Sequence, residues 1–275
     1  MQARDLMTHP IITAVPEMSL TVAQQLMHAH RLRHLPVVAG ERLVGIVTDR
    51  DLRQASPSHT TALSPGELTY YMGTTPIATC MTGDVVTIHP DEALVEGVRR
   101  LLAGRFDGLP VVADGQLVGM LTAIDCLHGG LRAAGPAATR RPVSASMQRS
   151  PSTGRPDELV WRVYQRMRAA HLRHLPIVTE RGQLQGILTD RDIRQAGPST
   201  VPAMAAHESL LLLLTMPVRD IMTHHVYTVR ADTVLAEAVQ LVLEHKVGCL
   251  PVVRHDHTLA GMLTVPELLR ACYNP

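Results

Sequence analysis

Aromatic residues and net charge are both scarce in this chain. Aromatic side chains occupy 3% of the 275 positions, and the formal net charge is +1 at pH 7. A protein that binds DNA or RNA needs a basic surface, and single-stranded nucleic acid is also held by stacking on aromatic rings. The composition therefore argues against a nucleic-acid partner.

Cysteine is rare, and no pair has the CxxC spacing of zinc ribbons or redox motifs. The four cysteines stand far apart: Cys80, Cys126, Cys249 and Cys272. We expect buried free thiols in a reducing compartment. Histidine is commoner, with 15 residues, but the pairs at 224–225 and 255–257 lack a third ligand at a useful spacing. No metal site is predicted.

Long apolar runs are also missing. The longest, residues 210–214, is far shorter than the ~20 residues that span a bilayer, and the N-terminal MQARDLMTHP has no apolar signal core. With 45% hydrophobic residues the chain has enough apolar side chains for a sizeable core. We expect a soluble, cytoplasmic protein with no membrane partner.

Catalytic signatures are absent from the sequence. It contains no Walker phosphate loop, no G-x-G-x-x-G, no HExxH and no G-x-S-x-G. These absences favour a protein that is not an enzyme.

What the chain does contain is a repeat. The stretch RHLPVVAGERLVGIVTDRDLRQ at 33–54 returns at 173–195 as RHLPIVTERGQLQGILTDRDIRQ, and weaker copies follow Gly108 and Cys249. Repeats take precedence over local patterns because they set the architecture. The spacing of the four Leu-Pro dipeptides is shorter between the second and third copies than elsewhere, which groups the repeats in two pairs.

Two elements are predicted before the Leu-Pro dipeptide of the first repeat. Ile11, Ile12 and Val15 favour a short strand after a loop. A helix is expected over 17–29, with a core face of apolar residues at helical spacing. The core candidates in the first three helices of this kind are Val22, Leu26, Ala29; Leu94, Val98, Leu101; and Trp161, Tyr164, Met167.

After the dipeptide, a hairpin and a second helix are predicted. The apolar runs 35–38 and 43–47 flank a polar turn, and in the second repeat Asp114-Gly115 favours a tight turn. A helix should begin near Asp49. Each repeat then has the order β-α-β-β-α, in the α/β (α+β) fold class.

The repeats divide the chain into two homologous modules, residues 1–135 and 141–275. The repeats themselves are expected at about 1–55, 76–131, 141–196 and 217–272. Each pair contains an insertion with a predicted helix, at 64–72 and at 204–214. A linker rich in Pro, Ala and Gly, residues 133–142, joins the modules.

This plan resembles the CBS (cystathionine β-synthase) domain family, whose tandem pairs are called Bateman modules. The markers are the Met-Thr opening, the Leu-Pro-Val-Val strand and the Gly-x-x-Thr-x-x-Asp junction, as in 45–51. The resemblance covers nearly the whole chain. It implies four CBS repeats arranged as two pseudo-twofold Bateman modules, with clefts between paired repeats.

The resemblance also implies a function. Members of the family often bind adenosine ligands in these clefts and act as sensors or regulatory subunits. We therefore expect a non-catalytic regulatory protein that binds an adenine nucleotide (AMP, ADP or ATP), with no catalytic cofactor and with an unidentified regulated protein as partner. A homodimer is compatible with the family. The alternatives are an interaction scaffold with vestigial clefts and, more remotely, an enzyme acting on the bound nucleotide.

Thr48 and Asp51 are the first candidate site residues. Three positions apart at the start of a helix, they nearly make a capping box, which is a structural role. A carboxylate can also accept both hydroxyls of a ribose, and a helix N-terminus favours a phosphate. The resemblance implies that Asp51 holds the ribose and that Thr48 lies near the phosphate.

Arg33, His34 and Arg50 are the candidate phosphate ligands. In the gamma subunit of AMP-activated protein kinase, a member of the family, a basic pair before the Leu-Pro dipeptide contacts phosphate. Arginine suits phosphate because its donors form a planar fork. The alternative is that these three residues are solvated surface charges.

The third repeat has the matching set: Arg173, His174, Thr189, Arg191 and Asp192. The second repeat keeps Thr122 and Asp125 but has Asp107-Gly108 in place of the basic pair, so it is expected to hold an uncharged nucleoside or nothing. The fourth has Glu267 and Pro266, and we expect an empty cleft.

The resemblance further implies that the base is gripped by a loop of the partner repeat. For the first site this loop runs from Thr82 to Val85, and for the second site from Thr223 to Val226.

Overall fold

The structure is a computed structural model that describes residues 1–56, 64–133, 140–196 and 214–273. The chain forms two compact units, one comprising Met1–Gly129 and one beginning at Gly130. The predicted module and repeat boundaries stay predictions. The linker predicted at 133–142 lies mostly outside the described residues, as does the helix predicted at 204–214.

The first two repeats contain five helices and four strands in the described residues. The helices are α1 (Leu20–Ala29), α2 (Asp49–Ala55), α3 (Pro65–Thr74), α4 (Leu94–Gly104) and α5 (Ala123–Ala133). The strands are β1 (His34–Ala39), β2 (Arg42–Thr48), β3 (Gly108–Ala113) and β4 (Gln116–Thr122). The helix predicted at 64–72 is confirmed as α3.

The third and fourth repeats continue the same order. Their helices are α6 (Val160–Ala169), α7 (Asp190–Ala196), α8 (Leu235–His245) and α9 (Val265–Tyr273). Their strands are β5 (Gln148–Arg149), β6 (His174–Val178), β7 (Leu184–Thr189), β8 (Val229–Arg230), β9 (Cys249–Val253) and β10 (Leu259–Thr264).

Antiparallel hairpins form the sheets of both units. In the first unit the strand order is β1-β2-β4-β3, and the two hairpins meet where Arg42 pairs with Gln116. In the second unit β6-β7 is one hairpin and β9-β10 is part of a four-stranded sheet. The β3-β4 turn has positive φ at both Asp114 (51°) and Gly115 (80°), as a tight type I′ turn requires.

The strand predicted from Ile11, Ile12 and Val15 is reduced to a single bridge. Ala14 pairs in parallel with Val37. The Ala14 amide donates a hydrogen bond to Pro36 O (2.9 Å), and the Ala14 carbonyl accepts one from the Val38 amide (2.8 Å). The next donor in the ladder would be Pro16, which has no N–H. The pairing therefore stops after one residue.

The predicted helix at 17–29 begins later and buries a different face. It starts at Leu20, where the Ser19 hydroxyl accepts a bond from the Val22 amide. The buried residues are Leu20, Ala23 and Met27. Of the predicted set, Leu26 is half-buried and packs against the core, whereas Val22 is 48% exposed and Ala29 is also exposed. Both sets have helical spacing, so periodicity alone did not identify the buried face.

The predicted core face is confirmed for the helix of the second repeat and only in part for that of the third. Leu94, Val98 and Leu101 are all buried on α4, as predicted. On α6 Met167 is in the core, but Trp161 and Tyr164 are only half-buried. Their rings lie 6.1 Å apart, which indicates that they pack on each other at the rim of the core.

Burial also sets the chemistry of the thiols. The four cysteines form no disulfide with one another; Cys126 and Cys249 are buried, and Cys80 and Cys272 are half-buried. Loss of solvent raises the pKa of Cys126 from 9.0 to about 12, with a smaller contribution from the Asp125 charge. Burial alone raises the pKa of Cys249 to about 12 and that of Cys272 to about 11.

A pair of substitutions tests the corrected face of α1. Met27→Ala should lower the free energy of unfolding by about 2–5 kcal/mol, because it empties a buried position. Val22→Ala, on the exposed face of the same helix, should change it by no more than about 0.5 kcal/mol. Urea unfolding measures both; a larger loss for Val22→Ala would restore the original assignment.

Thiol reactivity tests the burial of the cysteines. The thiolate is the reactive form, so Cys126 and Cys249 should resist Ellman's reagent at pH 8 in the folded protein. After unfolding in urea, all four thiols should react. Fast reaction of four thiols in the native protein would contradict the structure.

Candidate functional site

The capping box predicted at the first junction is present. Asp51 Oδ2 accepts bonds from the Thr48 amide (2.8 Å) and hydroxyl (2.7 Å), and the Asp51 amide donates to Thr48 Oγ1 (3.3 Å). The third repeat matches closely, with 2.7 and 2.8 Å from Thr189 to Asp192 Oδ2. The second repeat makes the same contacts between Thr122 and Asp125.

Each of these aspartates uses only one oxygen in the cap. Oδ1 of Asp51, Asp125 and Asp192 accepts no hydrogen bond from the residues that the structure describes. In the fourth repeat Glu267 caps Thr264 with Oε2 and accepts a bond from Arg270 at Oε1 (3.2 Å). Both oxygens of that longer carboxylate are therefore occupied within the protein.

Hairpin register brings the basic pair to the cap. His34 is the cross-strand partner of Thr48, and His174 is the partner of Thr189. Cross-strand partners project to the same face of the sheet. Arg33, Arg50, Arg173 and Arg191 are exposed at the same end of their hairpins. The basic residues and the capping carboxylate of each set therefore lie at the same end of one hairpin.

Two amides at the helix N-terminus already have partners within the protein. The Asp49 amide donates to Arg33 O (3.4 Å), and the Asp51 amide is used by the cap. In the second unit the Asp190 amide donates to Arg173 O at 3.1 Å and the Asp192 amide is used by the cap. These amides are therefore already used within the fold.

The loop expected to grip the base lies beside the junction. The Thr82 amide donates to Ile46 O and the Ile46 amide donates to Thr82 O, both at 3.0 Å. Thr223 and Ile187 exchange the same two bonds at 2.9 Å. The first residue of each loop therefore pairs with a strand residue that lies two positions before the capping threonine of the partner repeat. Val226 packs against the cluster that contains Ile187, and the Val85 amide donates to Gly83 O.

A glycine makes this close approach feasible. A Cβ atom on Gly45 would lie 2.8 Å from Met81 Sδ, and one on Gly186 would lie 2.7 Å from Thr223 O. Contacts below 3.0 Å do not occur for real Cβ atoms. The sequence analysis did not predict that Met81 and Met222 pack against these glycines. The methionine that precedes the loop threonine in both units could have indicated this contact.

Cys80 is a second residue near the first site that sequence reasoning missed. Its thiol is half-buried, and its pKa is raised by burial and by the charge of Asp51. In the second unit the equivalent position before Met222 is Ile221. The two sites therefore differ in the side chain beside the carboxylate.

Two absences in the described residues bear on function. Within the described ranges, no cluster of three or more His, Cys, Asp or Glu side chains could hold a metal ion. Over the same residues, no helix has the length and apolar character needed to cross a membrane.

Comparison with protein families gives four matches. The model of the CBS domain matches residues 3–58, 77–131, 143–199 and 218–274. Among curated proteins, the chain is 23% identical to protein MJ1225 of Methanocaldococcus jannaschii over 94% of both chains. It is 32% identical to the inosine-5'-monophosphate dehydrogenase of Korarchaeum cryptofilum over half of this chain. It spans only 26% of that enzyme.

Solved structures give the same fold. The crystal structure of MJ1225, described as a proposed archaeal homologue of g-AMPK, superposes with a TM-score of 0.80 at 22% identity, covering 98% of this chain and 99% of that one. A conserved protein from Pyrococcus horikoshii gives a TM-score of 0.69 at 19% identity over 99% of this chain and 100% of that one. At these identities the likeness establishes the fold only.

Two glycine substitutions test the close approach between repeats. Gly186→Ala should destabilise the protein by about 1–3 kcal/mol, because the new methyl group meets a backbone carbonyl that must move. Gly73→Ala is the matched control: it lies in α3 with no atom within 4 Å of its Cβ position, and should stabilise the protein by about 0.5–1 kcal/mol. Equal effects in urea unfolding would refute the proposed role of Gly186.

Proposed function

The chain belongs to the CBS domain family, and from this premise we propose that it is a regulatory protein that binds an adenine nucleotide between paired repeats. One observation carries the proposal. In the first and third repeats, an aspartate whose second oxygen accepts no bond from the described residues caps the helix at the end of the hairpin that carries a histidine and two arginines, and a loop of the partner repeat pairs with that hairpin.

The ribose is assigned to the aspartates. Asp51 Oδ1 and Asp192 Oδ1 are acceptors whose orientation is fixed because Oδ2 is held by the cap. A carboxylate oxygen so placed can accept from ribose hydroxyls. Thr48 and Thr189 already donate to the carboxylates, so their part is to hold the aspartates in position.

The phosphate is assigned to the basic side chains. Arg33, His34 and Arg50 serve the first site, and the matching residues of the third repeat serve the second: Arg173, His174 and Arg191. Charge-assisted bonds from guanidinium and imidazolium groups to phosphate are stronger than neutral ones. This set favours AMP, ADP or ATP over a ligand without phosphate.

The base is assigned to the partner loops. Thr82 and Thr223 each pair with the strand that leads to the capping threonine, and Val85 and Val226 follow three residues later. An adenine ring in this position would bridge two repeats. A ligand that completes its site across two elements favours the arrangement in which both are engaged, which is how we propose a signal arises.

The remaining clefts are weaker candidates. The second repeat offers Asp125 Oδ1, but Ile124 stands where the first repeat has Arg50. In the fourth, both oxygens of Glu267 are engaged. We assign nucleotide to two sites, one in each unit.

The proposal includes no catalysis. The family matches take up most of the chain, and the chain covers only 26% of the length of the inosine-5'-monophosphate dehydrogenase of Korarchaeum cryptofilum. The regulated protein is a separate partner in this proposal. Self-association as a homodimer and a cytoplasmic location stay predictions.

Substitution of the two aspartates tests the assignment. With AMP, ADP or ATP at a hundredfold excess over its dissociation constant, the wild-type protein should be stabilised by about 2.7 kcal/mol for each occupied site. The double variant Asp51→Ala/Asp192→Ala should lose this stabilisation in a thermal-shift assay, because it lacks both ribose acceptors.

Glu67→Ala provides the matched control. Glu67 closes the same type of capping box with Ser64 at the start of α3, so its loss removes a cap but no proposed ligand. Its response to nucleotide should equal that of the wild type. Nucleotide binding that survives loss of both aspartates would reject the site, and no response of the wild type to any adenosine ligand would favour the interaction scaffold.

A further inference from the structure

A histidine of one repeat lies against a glycine of its partner in both units. A Cβ atom on Gly248 would stand 2.7 Å from Nε2 and 2.9 Å from Cε1 of His174. One on Gly108 would stand 3.5 Å from Nδ1 and 3.6 Å from Cε1 of His34. In the second unit the imidazole therefore occupies space that a side chain at the glycine would need, whereas the distances in the first unit are those of ordinary contact.

Both glycines lie where the Leu-Pro strand of the partner repeat begins. Gly108 is the first residue of β3 and pairs with Thr122. Gly248 directly precedes β9 and its carbonyl accepts a bond from the Val265 amide (3.2 Å). From the sequence alone, Asp107-Gly108 and Gly248-Cys249 are the positions at which the second and fourth repeats lack the basic pair. The structure shows that Gly108 and Gly248 lie against the histidine of the partner repeat.

We propose that Gly248 is a positioning residue for His174, with Gly108, which lies at ordinary contact distance from His34, as the comparison. The absence of a side chain lets the imidazole stand beside the capping threonine of its own hairpin. Affinity for phosphate at one repeat is then set partly by a residue of the other. The inference rests on the proposed function, which assigns His174 and His34 to phosphate.

The steric argument favours movement of the ring over movement of the backbone. The atoms closest to the Gly248 Cβ position are at the far end of a side chain with two rotatable bonds. Gly248 is not among the glycines with positive φ, so alanine fits its backbone conformation. Gly248→Ala should therefore displace the His174 imidazole and leave the fold intact.

The binding test uses the full chain with Asp51→Ala, so that only the second site reports. Calorimetry with AMP and with adenosine compares a ligand that has phosphate with one that lacks it. Gly248→Ala should weaken AMP binding about tenfold, as expected for loss of one charged hydrogen bond, and leave adenosine binding within about twofold. Equal losses for both ligands would overturn the proposal.

A double-mutant cycle separates positioning from general damage. His174→Ala should weaken AMP binding by a similar factor, and adding Gly248→Ala should then cause no further loss, because the ring it displaces is gone. An undiminished effect of Gly248→Ala without His174 would reject the role. Gly108→Ala, tested with Asp192→Ala, should alter AMP affinity at the first site much less, since its contacts with His34 are ordinary packing distances.

A ligand-free measurement distinguishes failure of this inference from failure of the proposed function. The His174 ring signal in a carbon–proton NMR spectrum can be assigned by its loss in His174→Gln. It should shift in Gly248→Ala and stay unchanged in Gly73→Ala. An unmoved signal refutes the positioning role whether or not AMP binds; a shifted signal with no binding of AMP or adenosine to the wild type supports the positioning contact and rejects the nucleotide site.

Discussion

The contact on which the rest of each unit depends is the pair of backbone hydrogen bonds between Ile46 and Thr82, repeated between Ile187 and Thr223. Here a loop of one repeat approaches the second hairpin strand of its partner so closely that only glycine fits opposite it. The bonds tie the two repeats of a pair together. They also fix the position of the loop relative to the capping threonine.

The cap shows how one side chain can serve the fold and the site together. An aspartate at the third position of the helix reaches its threonine with one oxygen, while the other accepts no bond from the described residues. The longer glutamate of the fourth repeat also closes the cap, but its second oxygen meets Arg270. The difference of one methylene group thus separates a helix cap that is also an acceptor from one that is only a cap.

Much of the fold could be predicted from the sequence because the same pattern occurs in four repeats. Repetition identified the family fold, the hairpins and the Thr48–Asp51 cap, each of which depends on residues close together in the chain. The buried face of α1 could not be predicted, since Val22 and Met27 belong to two apolar stripes of equal periodicity. The packing of His174 on Gly248 was also out of reach, because the two residues belong to different repeats and no local pattern links them.

The exchange of loops between repeats has a consequence for how such a chain can change over time. Since each proposed site takes its carboxylate from one repeat and its flanking loop from the partner repeat, a single repeat would carry no complete site. A duplication that copied one repeat would produce an interface without a partner, whereas copying a pair preserves two complementary halves. The close match of the first repeat to the third, rather than to its neighbour, is the pattern expected if the pair is the unit of inheritance.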